Sequence, residues 1–124
     1  MDKLSNTNKV FQWHKIANSI DEINFSFNGT AEIVVDEKVL CIIKNGNKLD
    51  ACSQKCPHAG GIMSNGYVDA SGNIVCPLHG YKFSLQNGRN VTGEGYLLKI
   101  FPVQIRYGAV FVGIEKKILL NSIK

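Results

Sequence analysis

The sequence contains Cys56-Pro57-His58-Ala59-Gly60-Gly61 and, further along, Cys76-Pro77-Leu78-His79-Gly80. Each stretch offers one thiolate and one imidazole, with the cysteine first in both. The chain has 3 histidines in all, and two of them lie in these stretches. Cysteine and histidine at such short spacing can point at one metal centre from a tight loop. We therefore predict a metal site formed by two loops, with Cys56, His58, Cys76 and His79 as its ligands.

The residues around these ligands favour tight, stiff loops. A proline follows each cysteine, which removes a backbone N–H and fixes φ beside the ligand. The glycines at 60, 61 and 80 allow sharp turns and a close approach of the backbone to a compact inorganic core. Each loop is entered from a predicted strand, so that a rigid sheet would set the distance between the ligands.

The donor set alone fits two kinds of centre. Two cysteines and two histidines bind structural zinc, and they also bind a [2Fe–2S] cluster with both cysteines on one iron and both histidines on the other. Zinc sites usually pair like ligands, Cys-x₂₋₄-Cys with His-x₃₋₅-His, whereas this chain alternates Cys and His twice. The alternation favours the cluster, and a zinc-stabilised Cys₂His₂ binding module remains the alternative.

The stretch from Cys56 to Gly61, the stretch from Cys76 to Phe83 and the following Asn87-Gly88 resemble the Rieske [2Fe–2S] ferredoxin family. The resemblance extends over roughly residues 11–114. It implies an all-β fold, a Rieske-type antiparallel β-sandwich of three stacked sheets, in which two ligand loops close over one [2Fe–2S] cluster. It also implies that both histidines bind one iron through a ring nitrogen and keep their outer edges near solvent.

Charge counting indicates what this ligand set does to the cluster. Two ferric ions, two sulfides and two thiolates sum to zero, whereas four thiolates would leave a negative centre that accepts an electron less readily. Reduction potentials in the family span about −150 to +300 mV. Respiratory members, which this chain resembles at the ligands, have an extra cysteine pair, and they have hydroxyl donors where this chain has Tyr81 and Phe83. We therefore expect a potential in the lower part of the range.

The chain length predicts one globular domain over residues 1–124. The two loops place the cluster-binding subdomain at 53–92, and the polar residues 1–9 are expected to form a flexible N-terminus. Charged residues make up 19% of the chain and apolar ones 44%, and the net charge is +4. No basic stripe with interleaved aromatics suggests nucleic-acid binding. No apolar run is long enough to span a membrane, and the first residues lack a secretory signal, so we expect a cytoplasmic protein.

Turn residues recur every eight to twelve positions, and the stretches between them have strand character. Short helices are predicted only over 17–23, with Asn18 or Ser19 as cap, and over 115–123. The predicted strands lie at 11–16, 31–35, 38–44, 48–52, 67–69, 73–76, 101–106 and 109–113, joined by turns at 36–37, 46–47, 71–72 and 107–108.

Several residues outside the loops receive structural predictions. Cys41 and Cys52 lie at equal distance from the 46–47 turn, so we expect two buried cross-strand thiols rather than a disulfide. Trp13, Phe25 and Phe27 are expected in the core. His14 alternates with Trp13 along its strand and is expected to be exposed.

Electron transfer is the predicted function. The family resemblance implies a soluble one-electron carrier between a flavin reductase and a terminal oxygenase or other terminal redox enzyme, and the small subunit of an NAD(P)H nitrite reductase is a close variant. An oxygenase needs a mononuclear iron with two histidines and a carboxylate. Only His14 remains once His58 and His79 are assigned, so catalysis would require a partner polypeptide.

Overall fold

The computed structural model describes residues 10–58 and 60–116, and in this part of the chain ten strands form three antiparallel sheets. The outer sheet has the order β1-β10-β9, the central sheet β2-β3-β4-β8 and the small sheet β5-β6-β7. The strands are β1 Val10–Ala17, β2 Thr30–Val35, β3 Lys38–Asn45, β4 Lys48–Ser53, β5 Tyr67–Val68, β6 Asn73–Val75, β7 Lys82–Ser84, β8 Ile100–Phe101, β9 Val103–Arg106 and β10 Ala109–Lys116. The predicted three-sheet, all-β fold is confirmed.

The central sheet is covered on both faces, and β3 shows why. Four consecutive β3 residues, 40–43, are buried, although side chains alternate between faces along a strand. Cys41 and Ile43 belong to the core shared with the small sheet and the two loops. Leu40 and Ile42 belong to the core shared with the outer sheet. A strand buried on both faces reads as a continuous apolar run, which explains the sequence Leu-Cys-Ile-Ile at 40–43.

The predicted hairpin turns are confirmed. Two-residue loops join Val35 to Lys38, Asn45 to Lys48 and Arg106 to Ala109, as their pairing in register shows. Gly46 has a positive φ, which suits a glycine in the first position of such a turn. The 71–72 turn joins β5 to β6, where the N–H of Asp69 donates to the carbonyl of Asn73 at 2.9 Å.

The single strand predicted over 101–106 is wrong, because the chain changes sheets at Pro102. Phe101 ends β8 and pairs with Ala51 of the central sheet, whereas Val103 begins β9 and pairs with Val112 of the outer sheet. Proline has no N–H to donate to a ladder, but its carbonyl accepts a bond of 2.9 Å from the N–H of Gly113. Pro102 therefore marks the corner between two sheets.

The two predicted helices differ from the structure. Ala17 ends β1, and a single 3₁₀ turn over Ile20–Glu22 replaces the helix predicted over 17–23. Ser19 occupies the cap position without a side-chain cap bond, while the Glu22 carboxylate accepts the N–H of Asn18 at 2.7 Å. Of the helix predicted over 115–123, Glu115 and Lys116 belong to β10, and the remainder lies outside the described residues, as does the predicted N-terminus 1–9.

The core predictions are partly right. Trp13 is half-buried, and Phe25 packs on the two cores beside the outer sheet, whereas Phe27 is fully exposed in the loop before β2. His14 is half-buried rather than exposed, and its Nε2 is enclosed without a hydrogen-bond partner among the described residues. Cys41 and Cys52 pair across β3 and β4 as predicted, and both are buried free thiols.

Within the described residues no helix is long and apolar enough to cross a bilayer. The small sheet, from Tyr67 to Ser84, lies inside the segment 53–92 that the sequence predicts as the cluster-binding subdomain. Its last strand, β7, has no counterpart among the predicted strands. A second 3₁₀ turn, Met63–Asn65, follows the first ligand loop.

Candidate metal centre

The two ligand loops have the same backbone design. Each is a six-residue tip, 56–61 or 76–81, closed at its base by an antiparallel pair, Lys55 with Ile62 and Val75 with Lys82. The N–H of Cys56 donates to the carbonyl of Gly61 at 2.7 Å, and the N–H of Cys76 donates to that of Tyr81 at 2.8 Å.

A second bond repeats as well. In each loop a glycine four residues after the cysteine donates its N–H to the cysteine carbonyl, Gly60 at 3.0 Å and Gly80 at 2.9 Å. Both glycines have the same positive φ, in the left-handed region that favours glycine. The loops therefore differ chiefly in the position of the histidine, which is the third residue of the first tip and the fourth residue of the second.

A partly buried polar network fixes the first loop to the central sheet. Gln54 is buried, and its side chain accepts the N–H of Ser64 at 2.9 Å while donating to Glu32 and to the Ser64 hydroxyl, each at 2.8 Å. Thr30 donates to the carbonyl of Ser64 at 2.6 Å and Asn28 to that of Gly66 at 2.7 Å. Because these groups satisfy one another, the chain after the loop has a defined position.

The two loops meet at Gly61. A Cβ at this position would lie 2.8 Å from the Sγ of Cys76, 3.1 Å from the Cβ of Leu78 and 3.8 Å from the Cβ of Cys56. Only a residue without a side chain permits the first loop to approach the cysteine of the second so closely. Both cysteines are buried and share one core with Met63 and Phe83.

The two histidines stand together at the outer side of the loops. The Nδ1 atoms of His58 and His79 are 3.3 Å apart and the ring centroids 4.8 Å apart. His58 is half-buried and His79 is exposed. The imidazole pair therefore lies at the outer side of the loops, with His79 more open to solvent than His58.

Two tyrosines surround His58. The ring centroid of Tyr81 is 4.2 Å from that of His58, and that of Tyr96 is 5.3 Å away. The tyrosine rings stack on each other at 6.1 Å with 23° between their planes. Burial, with the nearby Glu94 carboxylate, raises the pKa of the Tyr81 phenol, so this hydroxyl keeps its proton at neutral pH.

Glu94 brings a negative charge to the same corner. Its side chain accepts a short hydrogen bond from the Thr92 hydroxyl, and this bond, together with Asn90 and the nearby His58, lowers the pKa of the carboxyl. The Glu94 carboxylate is therefore ionised at neutral pH and places a negative charge near His58.

The residues present fit a two-iron cluster in chemistry and placement. The donors are two buried thiols, which as thiolates are soft ligands for iron, and two outward imidazoles with facing Nδ1 atoms. Among the described residues no three His, Cys, Asp or Glu side chains gather closely enough to hold a single ion. The arrangement instead has an inner sulfur pair and an outer nitrogen pair. Gly61 allows the two loops to approach each other closely.

All four predicted site residues therefore lie at the two loop tips. Sequence reasoning did not identify Tyr96, Glu94 or Asn90, which come from the connection between β7 and β8. The available signal was Gly93-x-Gly95 directly before a tyrosine, a turn that presents an aromatic ring.

The chain belongs to the Rieske [2Fe–2S] domain family, whose model matches residues 12–101. The cofactor of this family is a Rieske-type [2Fe–2S] cluster, as the loop chemistry predicts.

Individual relatives agree with this assignment. The ferredoxin component of the alkene monooxygenase system of Xanthobacter autotrophicus is 26% identical over 81 residues, which cover 65% of this chain and 66% of that protein. A ferredoxin seen in complex with the oxygenase of carbazole 1,9a-dioxygenase is 25% identical, with a TM-score of 0.69 over 86% of this chain and 97% of that one. A Mycobacterium tuberculosis protein described as an NADH-dependent nitrite reductase small subunit has a TM-score of 0.73 at 17% identity, covering 85% and 96%.

Proposed function

We propose that this chain is a one-electron carrier that holds its cluster through Cys56 and Cys76 on one iron and His58 and His79 on the other. The observation that supports this assignment most directly is the pair of equivalent loop tips, with buried thiols below and facing imidazoles above. The bound cluster would supply a reversible one-electron couple with little change in structure.

The buried cysteines and the outer histidines would have different roles. The buried cysteines keep water from the sulfur side, and the core around Met63 and Phe83 gives that side a low dielectric. The histidines would bind the side of the cluster that lies towards the surface, where a partner can approach. An electron transferred through the imidazoles would therefore cross a short distance without any opening of the fold.

Chemistry on a substrate would belong to a partner. His14 is the one histidine left over, and it lies on β1 in the outer sheet, away from the ligand loops. We therefore infer a non-catalytic component of an oxidoreductase system in the cytoplasm. A flavin reductase would supply the electron and a terminal oxygenase would accept it, in line with the ferredoxin–oxygenase complex of carbazole 1,9a-dioxygenase.

The cluster assignment is tested by composition and spectroscopy of protein purified without oxygen. We expect two iron atoms and two acid-labile sulfides per chain, a red-brown colour, and after dithionite reduction an EPR signal with an average g below 2. A colourless, EPR-silent protein with one zinc per chain would establish the zinc-stabilised module instead.

The ligand assignment is tested by replacing each of the four cysteines in turn, two as proposed ligands and two as controls. Cys56→Ser and Cys76→Ser should each lose most of the iron and sulfide. Cys41→Ser and Cys52→Ser are the controls, because both thiols are equally buried yet lie in the central sheet. Loss of the cluster in the Cys52 variant with retention in the Cys56 variant would overturn the assignment.

A further inference from the structure

The connection between β7 and β8 contains a turn, residues 90–96, that Asn90 holds in place. The Asn90 Oδ1 accepts the N–H groups of Glu94 and Gly95, at 2.5 and 2.9 Å. Its Nδ2 donates to the carbonyl of Lys82 at 3.1 Å and to the Thr92 hydroxyl at 3.0 Å. One side chain thus closes the turn on itself and fastens it to β7.

Thr92 adds a second attachment to the same strand. Its hydroxyl accepts the N–H of Lys82 at 3.2 Å, and the N–H of Val91 donates to the carbonyl of Lys82 at 2.9 Å. Lys82 directly follows Tyr81, the last residue of the second ligand loop. The turn is therefore fixed relative to the ligand loops by bonds on both backbone groups of one residue.

This attachment places Tyr96 on one histidine and not on the other. The described ring contacts of Tyr96 are with His58, at 5.3 Å, and with Tyr81, at 6.1 Å. Tyr81 lies 4.2 Å from His58 but 6.0 Å from His79. Two aromatic rings therefore cover the half-buried His58, while His79 is exposed.

We propose that the 90–96 turn holds Tyr96 as a fixed cover on His58, so that electrons enter and leave through His79, and that Asn90 is the residue that positions this cover. The inference rests on the proposed electron-carrier function. It adds that the two imidazoles are not equivalent: one is a shielded ligand, and the other is the contact point for redox partners.

Two physical effects follow from a fixed cover. An aromatic ring against an imidazole excludes water and reagents from part of that imidazole, so that chemical access differs between the two histidines. Excluding water also removes solvation from the reduced, more negative centre. Loss of the cover should therefore speed reactions at His58 and raise the reduction potential.

The first experiment measures access at each histidine separately. Cluster-loaded protein is treated with diethyl pyrocarbonate at one fixed pH, and acylation of His58 and His79 is followed by peptide mass spectrometry. In the wild type we expect His79 to react several-fold faster than His58. In Tyr96→Ala and Asn90→Ala the His58 rate should rise several-fold towards that of His79, and the potential, measured by voltammetry, should rise in both.

Tyr67→Ala is the matched control. Like Tyr96, Tyr67 is an exposed tyrosine, but it lies in β5 and has no described contact to a ligand histidine. It should change neither rate nor the potential. Equal acylation rates at the two histidines of the wild type would show that Tyr96 does not cover His58. A His58 acylation rate that stays low in Tyr96→Ala would show the same.

The second experiment tests the route. Reduced protein is mixed with cytochrome c in a stopped-flow instrument before and after acylation, with the potential measured in the same samples. The oxidation rate should fall in proportion to acylated His79. An unchanged rate with His79 fully acylated and His58 unmodified would overturn the route. Absence of labile sulfide in the purified protein would contradict the cluster assignment itself, before either experiment is made. Failure of the cluster assignment is therefore distinguishable from failure of this inference.

Discussion

At the scale of single residues, Gly61 has the most consequential position after the ligands. A methyl group there would meet the Cys76 Sγ at 2.8 Å, so the loops would have to separate. We predict that Gly61→Ala lowers the iron and sulfide content and destabilises the protein by about 1–3 kcal/mol, as overpacking does. Metal analysis and urea unfolding measure the two effects.

Gly113→Ala is the control for Gly61→Ala. Its Cβ would also be crowded, at 3.0 Å from Pro102 and 3.2 Å from Trp13, but in the outer sheet. It should lower stability without lowering cluster content. Equal loss of cluster from both variants would mean that crowding acts only through global stability.

The charge on the ligands gives a second prediction at this scale. His79→Cys replaces a proposed neutral ligand with a thiolate, and the protein that assembles should have a lower potential, shifted towards the roughly −400 mV of plant-type ferredoxins. His14→Cys is the control and should leave the potential unchanged in voltammetry. An unchanged potential in His79→Cys would contradict the assigned ligand role.

The four candidate ligands could be predicted from the sequence because their spacing is local and their chemistry unusual. Tyr96 could not, since its place beside His58 depends on the tertiary route of the 90–96 turn. Phe27 was predicted in the core from its apolarity alone, yet it falls in a loop before β2, where no neighbouring element covers it. His14 shows the opposite error, because strand alternation does not reveal that both faces of an element are partly covered.

At the scale of elements, the turn between β2 and β3 has a backbone conformation that its two residues do not favour. Asp36 and Glu37 both have positive φ, an arrangement in which Asn-Gly is strongly preferred. We predict that Asp36→Asn with Glu37→Gly stabilises the protein by about 1 kcal/mol, because the left-handed conformation costs non-glycine residues about that much. Urea unfolding at neutral pH checks the value.

The chain offers a matched control for this turn in its other Asp-Glu pair, Asp21-Glu22. The same two substitutions there should destabilise, because the Glu22 carboxylate accepts the N–H of Asn18 within the 3₁₀ turn. Stabilisation at both places would point to a charge effect and not to turn geometry.

The β5–β6 hairpin gives a pH-dependent prediction. The Asp69 carboxylate accepts the N–H groups of Asn73 and Ser71 and lies 3.1 Å from the Lys82 Nζ, and these contacts lower the pKa of the carboxyl. A depressed pKa means that its stabilisation is complete above the ordinary value of about 4 and disappears as the pH falls through the lower folded value.

Asp69→Asn should therefore lower the urea midpoint at pH 7, and its difference from wild type should shrink towards pH 3. Asp21→Asn, at an exposed position outside the hairpin, is the comparison. A difference that stays constant over this pH range would show that the charge of Asp69 does not matter.

Hairpins were predicted well and sheet membership was not, for a physical reason. A two-residue turn fixes the pairing of its own strands, so the turns at 36–37, 46–47 and 107–108 determine local register. Which sheet a strand joins depends on distant partners. The run 101–106 alternates like one strand, yet its two halves pair with β4 and β10.

At the scale of the whole molecule, the central sheet separates the core next to the ligand loops from the two cores beside the outer sheet. Cys41 and Cys52 lie in the core next to the ligand loops and have no exposed surface. Their mutual hydrogen bond and burial raise the pKa of the Cys52 thiol, so it stays protonated and unreactive. We predict that iodoacetamide labels these thiols in the folded protein at least a thousandfold more slowly than in urea, since labelling requires global opening.

Val34→Cys is the control, because Val34 is 65% exposed on β2 and its thiol should react like a free one. Peptide mass spectrometry assigns the labelled sites. Rapid labelling of Cys52 in folded protein would show that β4 opens locally.

The repeated backbone pattern of the two ligand loops has a consequence for how the cofactor is acquired. The bonds that define each tip run between main-chain groups, such as Cys56 to Gly61 and Cys76 to Tyr81, and none of these bonds uses the side chain of a candidate ligand. We therefore expect the backbone of both tips to form without the cluster, unlike small zinc fingers, which fold only as they bind metal. Loading of the cofactor would then be a binding step on an already folded chain.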